Sequence, residues 1–208
     1  MTKRRVAILI SGSGSNAMAL IEAARADDYP AEIILVLSNR PDAPGLAKAR
    51  AAGVPTAAID HHPFGRNREA HERAINAALE ASGAEFIALA GYMRVLTPSF
   101  VRTWSGRMIN IHPSLLPLFK GLHTHRAALD AGVKLHGCSV HWVVEGVDEG
   151  PLLGQAAVPV LASDDEDLLA ARVLAAEHRL YPACLAAAVT GKAATAATDS
   201  VVFNPPAA

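Results

Sequence analysis

Met108-Ile109-Asn110-Ile111-His112-Pro113-Ser114-Leu115-Leu116-Pro117 sets two polar side chains into an otherwise apolar run. Met108 to Ile111 have the character of a short buried strand. Side chains two apart on a strand point the same way, so Asn110 and His112 share a face. Pro113 has no N–H to give to a sheet ladder, so the strand should end directly after His112. Both polar groups would then lie at the sheet's edge rather than within its core. An amide donor beside an imidazole at a strand end can serve as an active site. The plainer alternative is that the two residues only finish the strand by bonding to nearby backbone.

Outward from this strand the chain alternates strand-like and helix-like segments. Val6 to Ile10 is a continuous aliphatic run, as expected of a strand covered on both faces, followed by a glycine-rich turn at Ser11 to Ser15 and a helix over Asn16 to Ala26. Ile33 to Leu37 repeats the strand, and Gly45 to Ala52 makes a short helix stopped by Gly53. A short strand is expected at Thr56 to Ile59, then a longer amphipathic helix from Arg66 to Ala81 and a strand from Phe86 to Ala90. Thr97-Pro98 reads as an N-cap with proline at the first helical position, opening a brief helix to about Trp104.

Beyond the Asn110 strand the pattern changes. His123 to Ala131 is helical, and Leu135 to Val144 alternates, with Val140, Trp142 and Val144 set against Ser139, His141 and Val143. A loop from Glu145 to Gly150 and a strand near Gly154 to Val160 complete an antiparallel hairpin. Asp164 to about Ala188 is a long helix with acidic residues in its first turn and a break expected at Pro182. The expected fold is α/β: a Rossmann-like, mostly parallel twisted sheet with helices on both faces and an antiparallel hairpin at its C-terminal edge. Residues 1–190 are expected as one domain, and 191–208, rich in Ala and Thr and carrying Pro205-Pro206, as a loosely ordered tail.

Bulk properties narrow the partners. With 208 residues, 51% hydrophobic and 19% charged, the chain can bury one full core. A net charge of -1 argues against a nucleic-acid surface or a polybasic membrane anchor, which leaves small molecules. Cys138 and Cys184 are too few for a disulfide framework or a cysteine zinc site and suit a reducing cytoplasm. The apolar run after Lys3-Arg4-Arg5 is too short for a signal peptide, and no stretch approaches the roughly 20 apolar residues that span a bilayer.

Gly12-Ser13-Gly14-Ser15-Asn16-Ala17, between a strand and a helix, leaves backbone N–H groups and a helix N-terminus available to a phosphate. It also matches the dinucleotide fingerprint G-x-G-x-x-G/A. That fingerprint expects an acidic residue about 20 positions on. Ser38-Asn39-Arg40 stands there instead, so NAD is disfavoured and NADP could be met only through Arg40. His123, His125, His136 and His141 could be drawn into a zinc site, but no H-E-x-x-H or cysteine ligand pattern accompanies them, and no metal is expected. His61, His62 and His71 read as surface residues.

Asn110-Ile-His112-Pro-Ser-Leu-Leu-Pro117, then Gly121-Leu-His-Thr-His-Arg126, then Gly137-Cys-Ser-Val-His-Trp-Val-Val-Glu-Gly-Val-Asp148-Glu-Gly150, closely resembles the formyltransferases that use 10-formyltetrahydrofolate. With the glycine loop in front, the likeness is to members acting on glycinamide ribonucleotide in purine synthesis, and it runs from about Val6 to Pro182. It implies two small-molecule substrates, formyl folate as co-substrate, no nucleic acid, no membrane, a cytoplasmic enzyme, and a monomer or homodimer.

The resemblance also implies roles. Formyl transfer to an amine passes through a tetrahedral oxyanion, which needs aimed donors and a group that shuttles the amine's proton. Asn110 and His112 would supply the donors, and Asp148 would pair with His112 and help collect the proton through water. Gly14, Ser15 and Asn16, with Glu177 from the last helix, would hold the ribonucleotide. Arg68, Met93, Arg94, Val95, Leu96 and Asn110, with Val144, Glu145, Gly146, Val147 and Asp148, would surround the folate. Leu174 departs from the family, which often has a polar or basic side chain near the phosphate; the glycine loop would then carry more of that contact. Lys120 occupies a position that varies between Lys and Pro. Methionyl-tRNA formyltransferase adds a C-terminal RNA-binding domain and formyltetrahydrofolate deformylase an N-terminal regulatory domain, and this chain is expected to carry neither. A deformylase, using water as nucleophile, is the nearest alternative, with an NADP-dependent reductase or a nucleotide-binding module further off.

Overall fold

The structure, a computed structural model, describes residues 2–191 and the strand 201–203. The chain falls into two compact units, residues 1–110 and 111–208, and the boundary passes through the strand Met108–His112.

In the first unit, β1 (Arg4–Ile10) is the central strand. Val6 to Ile10 are fully buried, as a strand needs to be when covered on both faces. It pairs in parallel with β2 (Ala31–Ser38) on one side and β4 (Phe86–Leu89) on the other. β3 (Thr56–Ala58) adds to β2, and β5 (Met108–His112) adds to β4, giving the order β3-β2-β1-β4-β5 with every pair parallel. The helices are α1 (Ser15–Ala23), α2 (Pro44–Ala51), α3 (Arg68–Ser82) and α4 (Pro98–Thr103). Local chemistry fixes their ends. The Asn67 side chain accepts the Ala70 N–H at the start of α3, and Thr97 accepts the Phe100 N–H ahead of Pro98 at the start of α4. Gly83 closes α3 with a left-handed φ of 70°.

In the second unit, α5 (Thr124–Asp130) precedes β6 (Leu135–Trp142), which pairs antiparallel with β7 (Leu152–Pro159). Two glycines permit this pairing. A Cβ on Gly137 would lie 1.9 Å from the Ala156 carbonyl oxygen, and one on Gly150 would lie 1.6 Å from that of Trp142. The long helix α6 (Glu166–Thr190) is capped by Asp165, which accepts the Leu168 N–H. The fold is the α/β arrangement expected: a mostly parallel sheet with helices around it and an antiparallel hairpin at its end.

Three expectations need correction. Pro182 does not break α6, which runs on to Thr190. The buried side chains Leu180, Tyr181, Cys184, Leu185 and Ala188 anchor the helix on both sides of the proline, and this packing outweighs the proline's local cost. β6 stops at Trp142 rather than Val144, and residues 136–141 are all buried, so both of its faces are covered. His71 is 1% exposed rather than at the surface, and its Nε2 lies 2.9 Å from the Ile59 carbonyl. The tail expected over 191–208 falls mostly outside the described residues; within it, β8 (Val201–Phe203) pairs in parallel with β7. Among the described residues no helix is long and apolar enough to cross a membrane.

Candidate active site

The β5 strand ends at His112 with Pro113 next, as the sequence requires. Asn110 is half-buried and His112 is 5% exposed. A tight turn follows, closed by bonds from Leu118 N–H to the Leu115 carbonyl (3.0 Å) and from the Ser114 hydroxyl to the Leu118 carbonyl (2.6 Å). It delivers the Phe119 carbonyl to His112 Nε2 at 2.9 Å. A carbonyl can only accept, so Nε2 carries the proton.

The other ring nitrogen of His112, Nδ1, lies 3.3 Å from Asp148 Oδ2. Asp148 sits in the segment between β6 and β7 with a left-handed φ of 54°, a conformation Asp tolerates better than most residues. The same Oδ2 accepts the Gly121 N–H at 2.9 Å. His141 Nε2 stands 3.6 Å from Oδ1, while its Nδ1 faces the Trp142 carbonyl at 2.9 Å. Burial pushes the Asp148 carboxyl up, but the His141 imidazole, the Gly121 N–H and the His112 imidazole outweigh it and hold the group below its ordinary range. An ionised carboxylate is thus held between two imidazoles.

A second group of side chains gathers in the first unit. A cleft of about 1060 Å³ is lined by the glycine loop Ser11 to Asn16, by Asn39 to Asp42, by Asp60 to His62, and by Ala90, Gly91, Met93 and Arg94. Gly14 opens α1 with a φ of 68° and no side-chain cap, which leaves N–H groups at the helix N-terminus for a ligand. Gly14 and Gly45 touch: a Cβ on Gly14 would lie 2.8 Å from the Gly45 Cα, and the Gly45 N–H bonds the Gly12 carbonyl at 3.0 Å. Lys48 Nζ donates to the Ser13 carbonyl at 3.0 Å and brings a cation to the loop. At its base the buried Ser11 hydroxyl donates to Asn39 Oδ1 (2.6 Å) and accepts the Met93 N–H (2.8 Å).

The expected site residues therefore divide. His112 and Asp148 meet in the second unit, and Gly14, Ser15, Asn16, Met93 and Arg94 share the cleft of the first. Met93 is 66% exposed and Val95 52%, which rules out plain core packing for them. Leu96 is half-buried, and Arg68 is exposed as the first residue of α3 and does not line that cleft. Val144, Glu145 and Val147 are exposed and Gly146 half-exposed, in the segment that carries Asp148. Glu177 is buried on α6. Lys120 pairs with Glu149 at 3.0 Å. His61 and His62, expected as surface residues, line the cleft wall; with Asp60 they are the one His/Asp group among the described residues whose donor atoms lie close enough for a metal. The four histidines considered for zinc do not gather: His125 and His136 bond each other at 3.2 Å, His141 faces Asp148, and His123 is exposed.

Sequence reasoning weighed His141 only as a zinc ligand and gave Phe119 and Gly121 no role. The alternation in β6 does put His141 on the Ser139 face, so a signal for it existed. The other two act through backbone atoms, which no side-chain pattern reveals.

Comparison with known proteins accords with this arrangement. A family model described as Formyl transferase matches residues 4–185. Trifunctional purine biosynthetic protein adenosine-3 of Drosophila melanogaster is 50% identical over 193 residues, 92% of this chain; the chain spans only 14% of that protein's length. Phosphoribosylglycinamide formyltransferase of Escherichia coli (strain K12) is 45% identical over 177 residues, 85% of this chain and 83% of that one. Among solved structures, phosphoribosylglycinamide formyltransferase from Brucella melitensis superposes with a TM-score of 0.87 at 57% identity, covering 91% of this chain and 97% of that one. The chain belongs to the formyl transferase family.

Proposed function

We propose that the protein transfers the formyl group of 10-formyltetrahydrofolate to the amine of glycinamide ribonucleotide, a step of purine biosynthesis, through a tetrahedral intermediate. The observation that carries this reading is the buried His112–Asp148 pair, 3.3 Å apart, at the end of the strand that bears Asn110.

Asn110 and His112 supply the donors for the oxygen of the intermediate. Both ring nitrogens of His112 face oxygen acceptors, an arrangement that only the doubly protonated ring satisfies in full. The Nδ1–H lies a long 3.3 Å from Asp148, and in the reaction it is shared with the oxygen that gains negative charge, which is how His112 serves as a donor there. Asp148 balances it and, through water, takes the proton that the amine nitrogen loses once its bond to the formyl carbon has formed. That proton is then available to the folate nitrogen as the carbon–nitrogen bond to it breaks, so charge is conserved over the cycle.

Gly14, Ser15 and Asn16 hold the ribonucleotide's phosphate, with Glu177 on its ribose. Arg68, the Met93 to Leu96 segment, Asn110 and the Val144 to Asp148 segment hold the folate. The open N-terminus of α1 and the exposure of Met93 and Val95 support these roles. The chemistry asks for no metal. We take residues 1–190 as one formyltransferase domain, since the family match spans both compact units, acting as a monomer or homodimer on small molecules. The buried, unbridged Cys138 and Cys184 fit a cytoplasmic setting.

The test supplies 10-formyltetrahydrofolate with and without glycinamide ribonucleotide. Deformylated folate should form only when the amine is present. Equal turnover without it would replace the transferase by a deformylase, and NADPH binding would revive a reductase.

A further inference from the structure

We propose that Gln155 is a positioning residue for the His112–Asp148 pair, acting through the turn at 114–121; this rests on the reading of that pair as the reacting groups. Gln155 lies on β7 directly opposite Ser139 of β6, so the two side chains stand on one face of the hairpin. Gln155 Nε2 donates to the Leu116 carbonyl at 2.9 Å and to the Ser139 hydroxyl at 2.9 Å. Ser139 in turn accepts the Leu116 N–H at 3.0 Å and donates to the Ser114 carbonyl at 2.7 Å.

The arrangement is saturated. A hydroxyl has one donor and two acceptor sites, and all three of Ser139's are used; both N–H groups of the Gln155 amide are used as well. The orientation of that amide follows from its partner, because the Leu116 carbonyl can only accept. Leu116 thus has its N–H and its C=O both held by side chains rather than by a sheet ladder. Ser114 and Ser139 are fully buried, so no bulk water stands ready to replace a lost bond.

What this clasp holds is the turn that reaches both reacting groups. The bonds Leu118 N–H to Leu115 carbonyl and Ser114 hydroxyl to Leu118 carbonyl make the segment one rigid piece. Its far end gives the Phe119 carbonyl to His112 Nε2 and the Gly121 N–H to Asp148 Oδ2, each at 2.9 Å. A displacement of Leu116 is therefore passed to the bond that fixes the His112 tautomer and to the one that fixes the carboxylate. Gln155 touches neither reacting group, and its effect should appear in kcat rather than in substrate binding.

The test compares Gln155→Met, which keeps the length and loses the donors, with Gln155→His, which keeps one N–H. Gln155→Met should lower kcat at least about tenfold with both KM values within about threefold, since a misplacement near 1 Å costs about a hundredfold in well-aligned sites. The His112 ring signals, followed by NMR and assigned with a His112→Gln sample, should move in the same variant, and Gln155→His should recover part of both. A folded Gln155→Met with unchanged kcat, or a kcat loss with unmoved His112 signals, overturns the proposal. If Gln155→Met does not fold, Ser139→Ala is read in the same way. If the parent protein shows no amine-dependent transfer, the functional reading fails by itself, and the ring signals alone decide the positioning role.

Discussion

His112 Nδ1 stands 3.3 Å from Asp148 Oδ2 although the two residues lie on opposite sides of the β6 strand in sequence. Strand β5 brings one of them and the segment after β6 brings the other. Both side chains are less than a tenth exposed, so their interaction is only weakly screened by solvent. With Nε2 committed to the Phe119 carbonyl, the imidazole has one direction left in which to hold a second proton, and the carboxylate occupies it.

Removing either member should disable the chemistry and spare the fold. Asp148→Asn keeps the size and, because Asn also tolerates a left-handed backbone, the φ of 54°. It deletes the charge. Turnover should fall at least about 100-fold in Asp148→Asn and in His112→Ala, with the circular dichroism spectrum unchanged. Near-parental turnover in both would remove the proposed mechanism.

The buried histidines set an acid limit on stability. His136, on β6 beside His125 of α5, is pushed down from the ordinary 6.5 to about 4, first by burial and then by His125 and His112. His125 is lowered by burial as well, with Glu166 opposing and His112 adding. A group with a depressed folded pKa binds more protons when unfolded over the interval between the two values. Stability is therefore full above about pH 6.5 and is lost as pH falls toward 4. The lowered Asp148 acts in the same direction, but its contribution starts to fade only as pH drops below the ordinary carboxylate value and is gone below its depressed folded one. Denaturant midpoints measured from pH 7 to 4 should fall, and His136→Phe should flatten the upper part of the decline. A midpoint independent of pH over that interval would refute the assignment.

Much of this was legible in the residues themselves. The aliphatic run Val6 to Ile10, the Thr97-Pro98 helix start and the Pro113 stop after His112 each act locally, and each is found where the chain places it. Pro182 misled because its cost is local while the packing of Leu180, Tyr181, Cys184 and Leu185 that overrides it is tertiary. His71 misled because its partner, the Ile59 carbonyl, is a backbone atom of another segment. The meeting of His112 with Asp148 could be inferred only from the family resemblance, since nothing in the spacing of the two residues brings them together.

Glycine positions in the hairpin should separate by what each would strike. A Cβ on Gly150 would lie 1.6 Å from the Trp142 carbonyl oxygen, a backbone atom fixed in the β6–β7 pairing. On Gly146 it would meet the Glu149 side chain and no backbone atom: the closest clash is with the carboxylate, the far end of a flexible chain, and the Glu149 Cβ stands at 3.1 Å. Gly150→Ala should cost about 3 kcal/mol or more, or prevent folding, while Gly146→Ala should stay within about 0.5 kcal/mol of the parent. Chemical denaturation of the pair measures this directly, and equal stabilities would show that the hairpin yields at Gly150.

The glycine loop supplies a comparable contrast on the side of the ribonucleotide. Gly14 has a φ of 68°, and a Cβ there would lie 2.8 Å from the Gly45 Cα, so Gly14→Ala must strain the backbone and push α2 from the loop at once. A left-handed alanine alone costs roughly 1–2 kcal/mol. Gly12 has an ordinary φ and open space around its missing Cβ, so Gly12→Ala should leave stability unchanged. The N–H groups at the start of α1 would be re-aimed only by the first substitution. Gly14→Ala should therefore lower the melting temperature and raise KM for glycinamide ribonucleotide at least about tenfold, with a smaller change in KM for the formyl folate. If Gly14→Ala raised only the KM for the folate, the loop would hold the other substrate, and the assignment of Gly14, Ser15 and Asn16 to the phosphate would have to be reversed.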